Sequence, residues 1–151
     1  MGRRLLTVAI MATYRSPAMN TYASPTPSVT GTPRTWLRIE GLAAFALAGA
    51  AYLQLGGQPL LLIPLLLAVD VSMAGYLVNP RVGAFTYNLA HQWATGLVVL
   101  SAGWWLGATP LLLVGAVLVA HVGMDRVAGY GLKYPTAFAD THLGRIGRGA
   151  R

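Results

Sequence analysis

Four apolar stretches, each near the roughly 20 residues that cross a hydrocarbon core, dominate the chain between Trp36 and Val127. They run from about Trp36 to Leu55, Pro59 to Val78, Phe85 to Leu106 and Pro110 to Val127. Gly56-Gly57-Gln58-Pro59 and Gly107-Ala108-Thr109-Pro110 read as tight turns with proline opening the following helix, and Asn79-Pro80-Arg81-Val82-Gly83 as a helix break. Only 10% of the residues are charged, against about a quarter in a soluble domain, so much of the apolar surface has to face lipid. The pattern predicts an all-α fold, a four-helix transmembrane bundle.

The charges set its direction. Every Arg and Lys lies in the N-terminal tail or the start of the first span, in the loop holding Arg81, or from Arg126 onward, and the two Gly-Pro turns carry none. By the positive-inside rule both termini are cytoplasmic, in a multi-pass protein of the inner (cytoplasmic) membrane. The same placement argues against a nucleic-acid partner, because the net charge of +7 comes from residues flanking apolar spans and forms no continuous basic face. With no cysteine, any chemistry falls to His, Asp, Glu, Ser, Tyr or Lys.

Residues 1–33, with Pro17, Pro25, Pro27 and Pro33 among Ser and Thr, read as a disordered tail, 34–135 as the transmembrane domain and 136–151 as a basic cytoplasmic tail. Arg3 and Arg4 ahead of Leu5 to Ala12 follow the order of a signal peptide, but the apolar run is short, and Leu6 stands where a myristoylation motif needs Ser or Thr. Met11 and Met19 are alternative starts. After the last span, Lys133, Arg145, Arg148 and Arg151 are expected to rest on anionic headgroups. The alternative is a lid in which Lys133, Asp140 and His142 fold back over a site as acid or base.

A gapless shift of 51 residues lays Leu55-Gly56, Pro59 and Leu60-Leu61-Leu62 on Leu106-Gly107, Pro110 and Leu111-Leu112-Leu113. Two repeated helical hairpins are one reading of this; chance matching between Leu-rich spans is the other. The shift also lays Glu40 on His91 and Asp70 on His121, so each helix offers one ionisable group.

Such groups are costly in hydrocarbon and should face the bundle interior with a partner. Asp70 lies about eleven residues, or ~16 Å, into its span, and His121 and Asp125, four apart, share a helix face. Imidazole and carboxylate on facing helices suit a divalent metal: zinc, iron or manganese. The expected ligands are Glu40, His91, His121 and Asp125, with Asp70 as an additional or catalytic carboxylate and His142 as a catalytic group from the C-terminal segment. Glu40, His91 and Asp125 should share one level, with Asp70 and His121 a turn deeper, and Asn88 should share the face of His91. The plainer reading is that these groups hydrogen-bond the helices together. Met73 and Met124 read as packing residues, Trp104, Trp105 and Trp36 as interfacial anchors, and Gly41, Ala44, Ala48 and Ala51 as a close-packing face.

From Arg38 onward the chain resembles a bacterial integral membrane family catalogued as a domain of unknown function, DUF4260. The resemblance is carried by Arg38-Ile39-Glu40-Gly41-Leu42, Asp70-Val71-Ser72-Met73, Pro80-Arg81-Val82-Gly83, Tyr87-Asn88-Leu89-Ala90-His91, His121-Val122-Gly123-Met124-Asp125-Arg126, Gly129 to Tyr134 and Thr141-His142-Leu143-Gly144. It implies a membrane location and no particular activity. The run from His121 to Pro135 also looks like the His-x-x-x-Asp, Tyr-Gly and Pro of membrane-bound metal-dependent hydrolases, although their early His-Arg-Gly segment is missing and only Thr141-His142 echoes the Thr-His that follows it. The expected function is a metal-dependent membrane hydrolase of a lipid-like or phosphorylated substrate, with its site at the cytoplasmic side of the bundle. The alternative is a non-enzymatic scaffold or partner subunit. A haem protein using His91 and His121 and an ion carrier using Asp70 are further classes.

Overall fold

The computed structural model describes residues 27–147. The signal-like order at Arg3 and Arg4, the alternative starts and the headgroup contacts of Arg148 and Arg151 lie outside them. The first helix, α1 (Gly31–Gln54), begins before Trp36 and takes in the last residues assigned to the tail. Gly56, in a left-handed conformation (φ 85°), turns the chain into α2 (Pro59–Ala68), where Pro59 supplies the helical φ at a position whose N–H needs no partner.

The second apolar stretch then changes pitch: Val69–Leu77 is a 3-10 helix. Ten α-helical residues and nine 3-10 residues span about 33 Å, enough for the ~30 Å hydrocarbon core. Asn79 caps α3 (Pro80–Ala90), its side-chain oxygen accepting from the Val82 amide at 2.9 Å.

The third stretch departs from expectation, because it is two helices. His91 leaves the helical region (φ −103°, ψ 25°), Gln92 is extended, and α4 (Trp93–Leu106) starts anew. Left-handed Gly107 ends α4, and α5 (Thr109–Ala128) runs to left-handed Gly129. Beyond it a short antiparallel pair, β1 (Asp140–Thr141) with β2 (Gly144–Arg145), carries a further bridge from Thr141 to Lys133.

α5 is the axis of the packing: α1 lies along one side of it and α4 along another, while the 3-10 segment packs on α3. Backbones touch where side chains are missing. A Cβ on Gly41 would stand 2.5 Å from the Arg126 Cβ, and one on Gly123 would stand 2.6 Å from the Phe45 nitrogen. Ala48 continues this buried face, but Ala51 is exposed and the seam passes to Tyr52 instead. On the other side Gly75 fits against Thr86 and Gly83 against the Tyr76 ring, with the Thr86 hydroxyl donating to the Ser72 carbonyl at 2.7 Å.

The outer surface is apolar. Leu77 is 91% exposed and Trp105 88%, an arrangement that water would oppose and lipid accepts. α1, the α2 and 3-10 unit, and α5 are long and apolar enough to cross a membrane, and α4 is a shorter apolar helix. The 51-residue shift matches only the outer bounds of the stretches: it lays unbroken α1 on the pair α3 and α4, and the change of pitch at Val69 on unbroken α5. α5 meets α1 much as the 3-10 segment meets α3; within the hairpins, α4 packs along α5 while α2 and α1 barely touch.

Gly123→Val should therefore force α1 off α5 and destabilise the protein by about 1–3 kcal/mol, as overpacked positions do. Gly49→Ala, with nothing within 4 Å of its added carbon, should stay within about 0.5 kcal/mol. Thermal unfolding in detergent, followed by tryptophan fluorescence, separates the two.

Candidate metal centre

Both backbone irregularities serve one place. Asp70 is in the first turn of the 3-10 segment and His91 is the residue at which α3 ends, while His121 and Asp125 come from one face of α5. Irregular backbone at membrane depth is tolerated where it is buried in protein or lines a cavity, and here it brings ligand atoms together.

His91 Nε2 lies 2.9 Å from His121 Nε2 and 3.3 Å from Asp70 Oδ1. His121 Nε2 lies 3.6 Å from the same carboxylate oxygen, and Asp125 Oδ2 is 3.8 Å from both imidazole nitrogens. Ligands about 2.0–2.1 Å from a tetrahedral ion stand about 3.3 Å from one another, which these separations bracket. Asp70, His91 and His121 form a group able to hold a metal ion, with both histidines buried and Asp70 partly exposed.

The tautomers follow from the neighbours. The Tyr87 carbonyl, 2.9 Å from His91 Nδ1, can only accept, so Nδ1 carries the hydrogen and Nε2 turns a lone pair toward His121. The Tyr87 ring stacks on His91 at 3.7 Å between centroids, and its hydroxyl donates to Asp125 Oδ2 at 2.8 Å. Tyr87 thus orients one imidazole and one carboxylate together. Its sequence signal was its place four residues before His91, on the same helix face. His121 Nδ1 is buried with no hydrogen-bond partner among the described residues.

The expected levels are corrected: the 3-10 segment and the break after α3 bring His91, His121 and Asp70 into one group beside Asp125. Glu40 is not part of it. Its neighbour Gly41 faces α5, which leaves Glu40 about 100° round the helix and exposed. Asn88 is no ligand either; its amide clamps the backbone of Lys133, donating to the carbonyl at 2.9 Å and accepting from the N–H at 2.7 Å.

That clamp corrects the reading of Lys133 as a headgroup contact. Lys133 is buried, donates to the Phe138 carbonyl at 2.8 Å and lies 3.7 Å from the centre of the Phe138 ring. Burial pulls its pKa below the usual lysine value, opposed by the charges of Asp125 and Asp70. With Asp70, Met73, Tyr87, Asp125 and Tyr130 it lines a cavity of about 210 Å³.

Residues 130–146 fold as a cap over the ends of α3 and α5. Phe138 meets Tyr76 edge to face, and Arg145 pairs with buried Asp140 at 3.0 Å. His142, expected as a catalytic group, pins this cap. Its Nδ1 accepts from the Leu132 amide at 2.8 Å, its own N–H donates to the Leu132 carbonyl, and its carbonyl accepts from Val29. None of these polar contacts reaches the histidine pair. Burial, and then the nearby Arg126 charge, lower the His142 pKa.

The fold and this cluster define a helical protein suited to a lipid bilayer, with a buried His/Asp group of metal-ligand geometry. The chain belongs to the family described as Domain of unknown function (DUF4260), whose sequence profile matches residues 34–146. That match does not show the likeness to metal-dependent hydrolases. No curated protein and no solved structure matches the chain.

His142 also sets a pH dependence. When the cap opens, the imidazole recovers its ordinary pKa near 6.5, so between that value and the lowered one the open form binds more protons. Closure should be strongest above about pH 6.5 and weaken as pH falls through that window. Hydrogen exchange of the Leu132 amide, corrected for its intrinsic rate, should show this, and His142→Ala should abolish the pH dependence.

Proposed function

We propose that the chain is a four-helix transmembrane bundle with both termini cytoplasmic, and that it is a metal-dependent hydrolase of a lipid-like substrate. The observation that carries this is the convergence of two imidazole Nε2 atoms and the Asp70 carboxylate from three separate elements, with His91 held in the ligand tautomer by Tyr87. Two histidines and one carboxylate with a vacant position is the pattern of catalytic zinc sites, and it equally suits iron or manganese. Asp70 has 35% of its side chain exposed, which leaves the group open on the cavity side. The charge asymmetry of the sequence supports a cytoplasmic position for the cap and an inner-membrane location.

In this reading Asp70, His91 and His121 would hold a divalent ion, which would supply Lewis-acid activation of a water. Asp125, fixed by the Tyr87 hydroxyl, takes the proton, and Lys133 faces the negative charge that builds on the substrate. Glu40 and His142 take no part.

A second reading draws on the same contact: a 2.9 Å approach of two imidazole nitrogens is also the length of an N–H···N hydrogen bond, which would tie α5 to the end of α3 in a non-enzymatic scaffold.

Metal analysis of the detergent-purified protein decides between them. About one zinc, iron or manganese ion per chain is expected, lost in His91→Ala, His121→Ala and Asp70→Ala and kept in Glu40→Gln. Tyr87→Phe keeps the carbonyl and the ring that orient His91 and loses only the hydroxyl on Asp125, so it should retain the metal. Absence of metal with the fold intact overturns the enzyme reading, and a Soret band would point to haem.

A further inference from the structure

Between α2 and α1, which barely touch, the bundle has a groove that its packing leaves unfilled. It measures about 540 Å³ and is lined by Tyr52 of α1, by Leu61, Leu65 and Val69 of the second stretch, and by Leu113 and Val117 of α5. At the Gly56–Gln58 turn Tyr52 bounds it, its ring packed on Gly57 and its hydroxyl donating to the Gln58 carbonyl at 3.2 Å. The other end comes within one residue of the polar cavity on one wall and within one turn of the metal centre on the other. Val69 lines the groove and the next residue, Asp70, lines the polar cavity, while Val117 lies one turn before His121 on the same face of α5.

We propose that this groove seats the hydrocarbon chain of a single-chain anionic amphiphile whose headgroup occupies the polar cavity beside Lys133. The proposal deepens, and rests on, the reading of the metal centre as the reacting site. The groove's length from Leu61 to Val69 is about 12 Å, close to the ~15 Å of hydrocarbon in one leaflet. One groove takes one chain. The head points toward the cap and the tail toward the Gly56–Gln58 turn, so the chain fills the half of the second stretch next to that turn.

Charge selects the head. The cavity holds two carboxylates, Asp70 and Asp125, and one cation, Lys133. A divalent ion cancels the carboxylates and leaves the charge of Lys133 uncompensated. Lys133 gives one hydrogen to the Phe138 carbonyl and has two more to offer an anionic oxygen.

The test uses the full chain in phosphatidylcholine nanodiscs supplied with zinc, with palmitic acid carrying a mid-chain diazirine as the probe. Saturable labelling of Leu61–Val69 and Leu113–Val117 is expected, and it should fall to background in Val117→Trp and, on the opposite wall, in Leu65→Trp. Palmitate should compete about tenfold better than methyl palmitate, and Lys133→Ala should remove that difference. Labelling spread over lipid-facing positions such as Leu47 and Leu97, unchanged by either tryptophan, overturns the chain seat. Equal competition by the two palmitates overturns the headgroup assignment. Metal content measured on the same samples keeps the two ideas apart. Metal present with no groove labelling fails only this proposal, and groove labelling without metal fails the enzyme reading.

Discussion

Two imidazoles and two carboxylates inside an apolar bundle would each cost several kcal/mol if left apart, and their meeting is the constraint to which the rest of the structure conforms. The helices depart from regularity to permit it. Asp70 rides on a 3-10 segment, and His91 stands where one apolar run breaks in two. A straight α-helix through either residue would fix side-chain direction by a 100° step, and the deviations free those directions. Tyr87 then sets the His91 tautomer with its carbonyl and the Asp125 carboxylate with its hydroxyl, so one residue disciplines half of the cluster.

Glycine makes this convergence possible at the level of packing. Without a hydrophobic force between helices in lipid, close backbone approach is what holds them together. Gly41 and Gly123 bring α1 onto α5, and Gly75 and Gly83 bring the 3-10 segment onto α3. α5 is held from two sides and presents His121 and Asp125 from a fixed position. The side left without such contacts, between α2 and α1, is the one where the apolar groove opens.

The cap completes the centre. Asn88 holds the Lys133 backbone from α3, and the ammonium is placed between aromatic rings over a cavity shared with Asp70 and Asp125. A segment whose composition reads as a basic tail is drawn inward because its backbone finds partners: Leu132 with His142, Tyr134 with Asp140, and Val29 with His142. Lys133 goes inward with it, while Arg145 stays at the surface and pairs with buried Asp140.

Hydrophobic run length and the Gly-Pro turns were enough to predict an all-helical chain suited to a membrane, because a bilayer admits few backbone structures and each needs a run of set length. Burial cost also singled out Asp70, His91, His121 and Asp125 before any coordinates, since a charged residue in hydrocarbon needs a reason. The sequence could not show which of the acids would meet the histidines. Glu40 matched the pattern as well as Asp70 did, and the turn of Gly41 onto α5 decided against it. Nor could periodicity reveal the break at His91, which has no proline or glycine to mark it, or the inward fold of Lys133, which depends on hydrogen bonds between residues 45 positions apart. Composition and spacing determined the kind of environment and the candidate groups. Only the tertiary structure decided their partners, because partners depend on the rotation of each helix about its axis, and that is set by packing against neighbours distant in the chain.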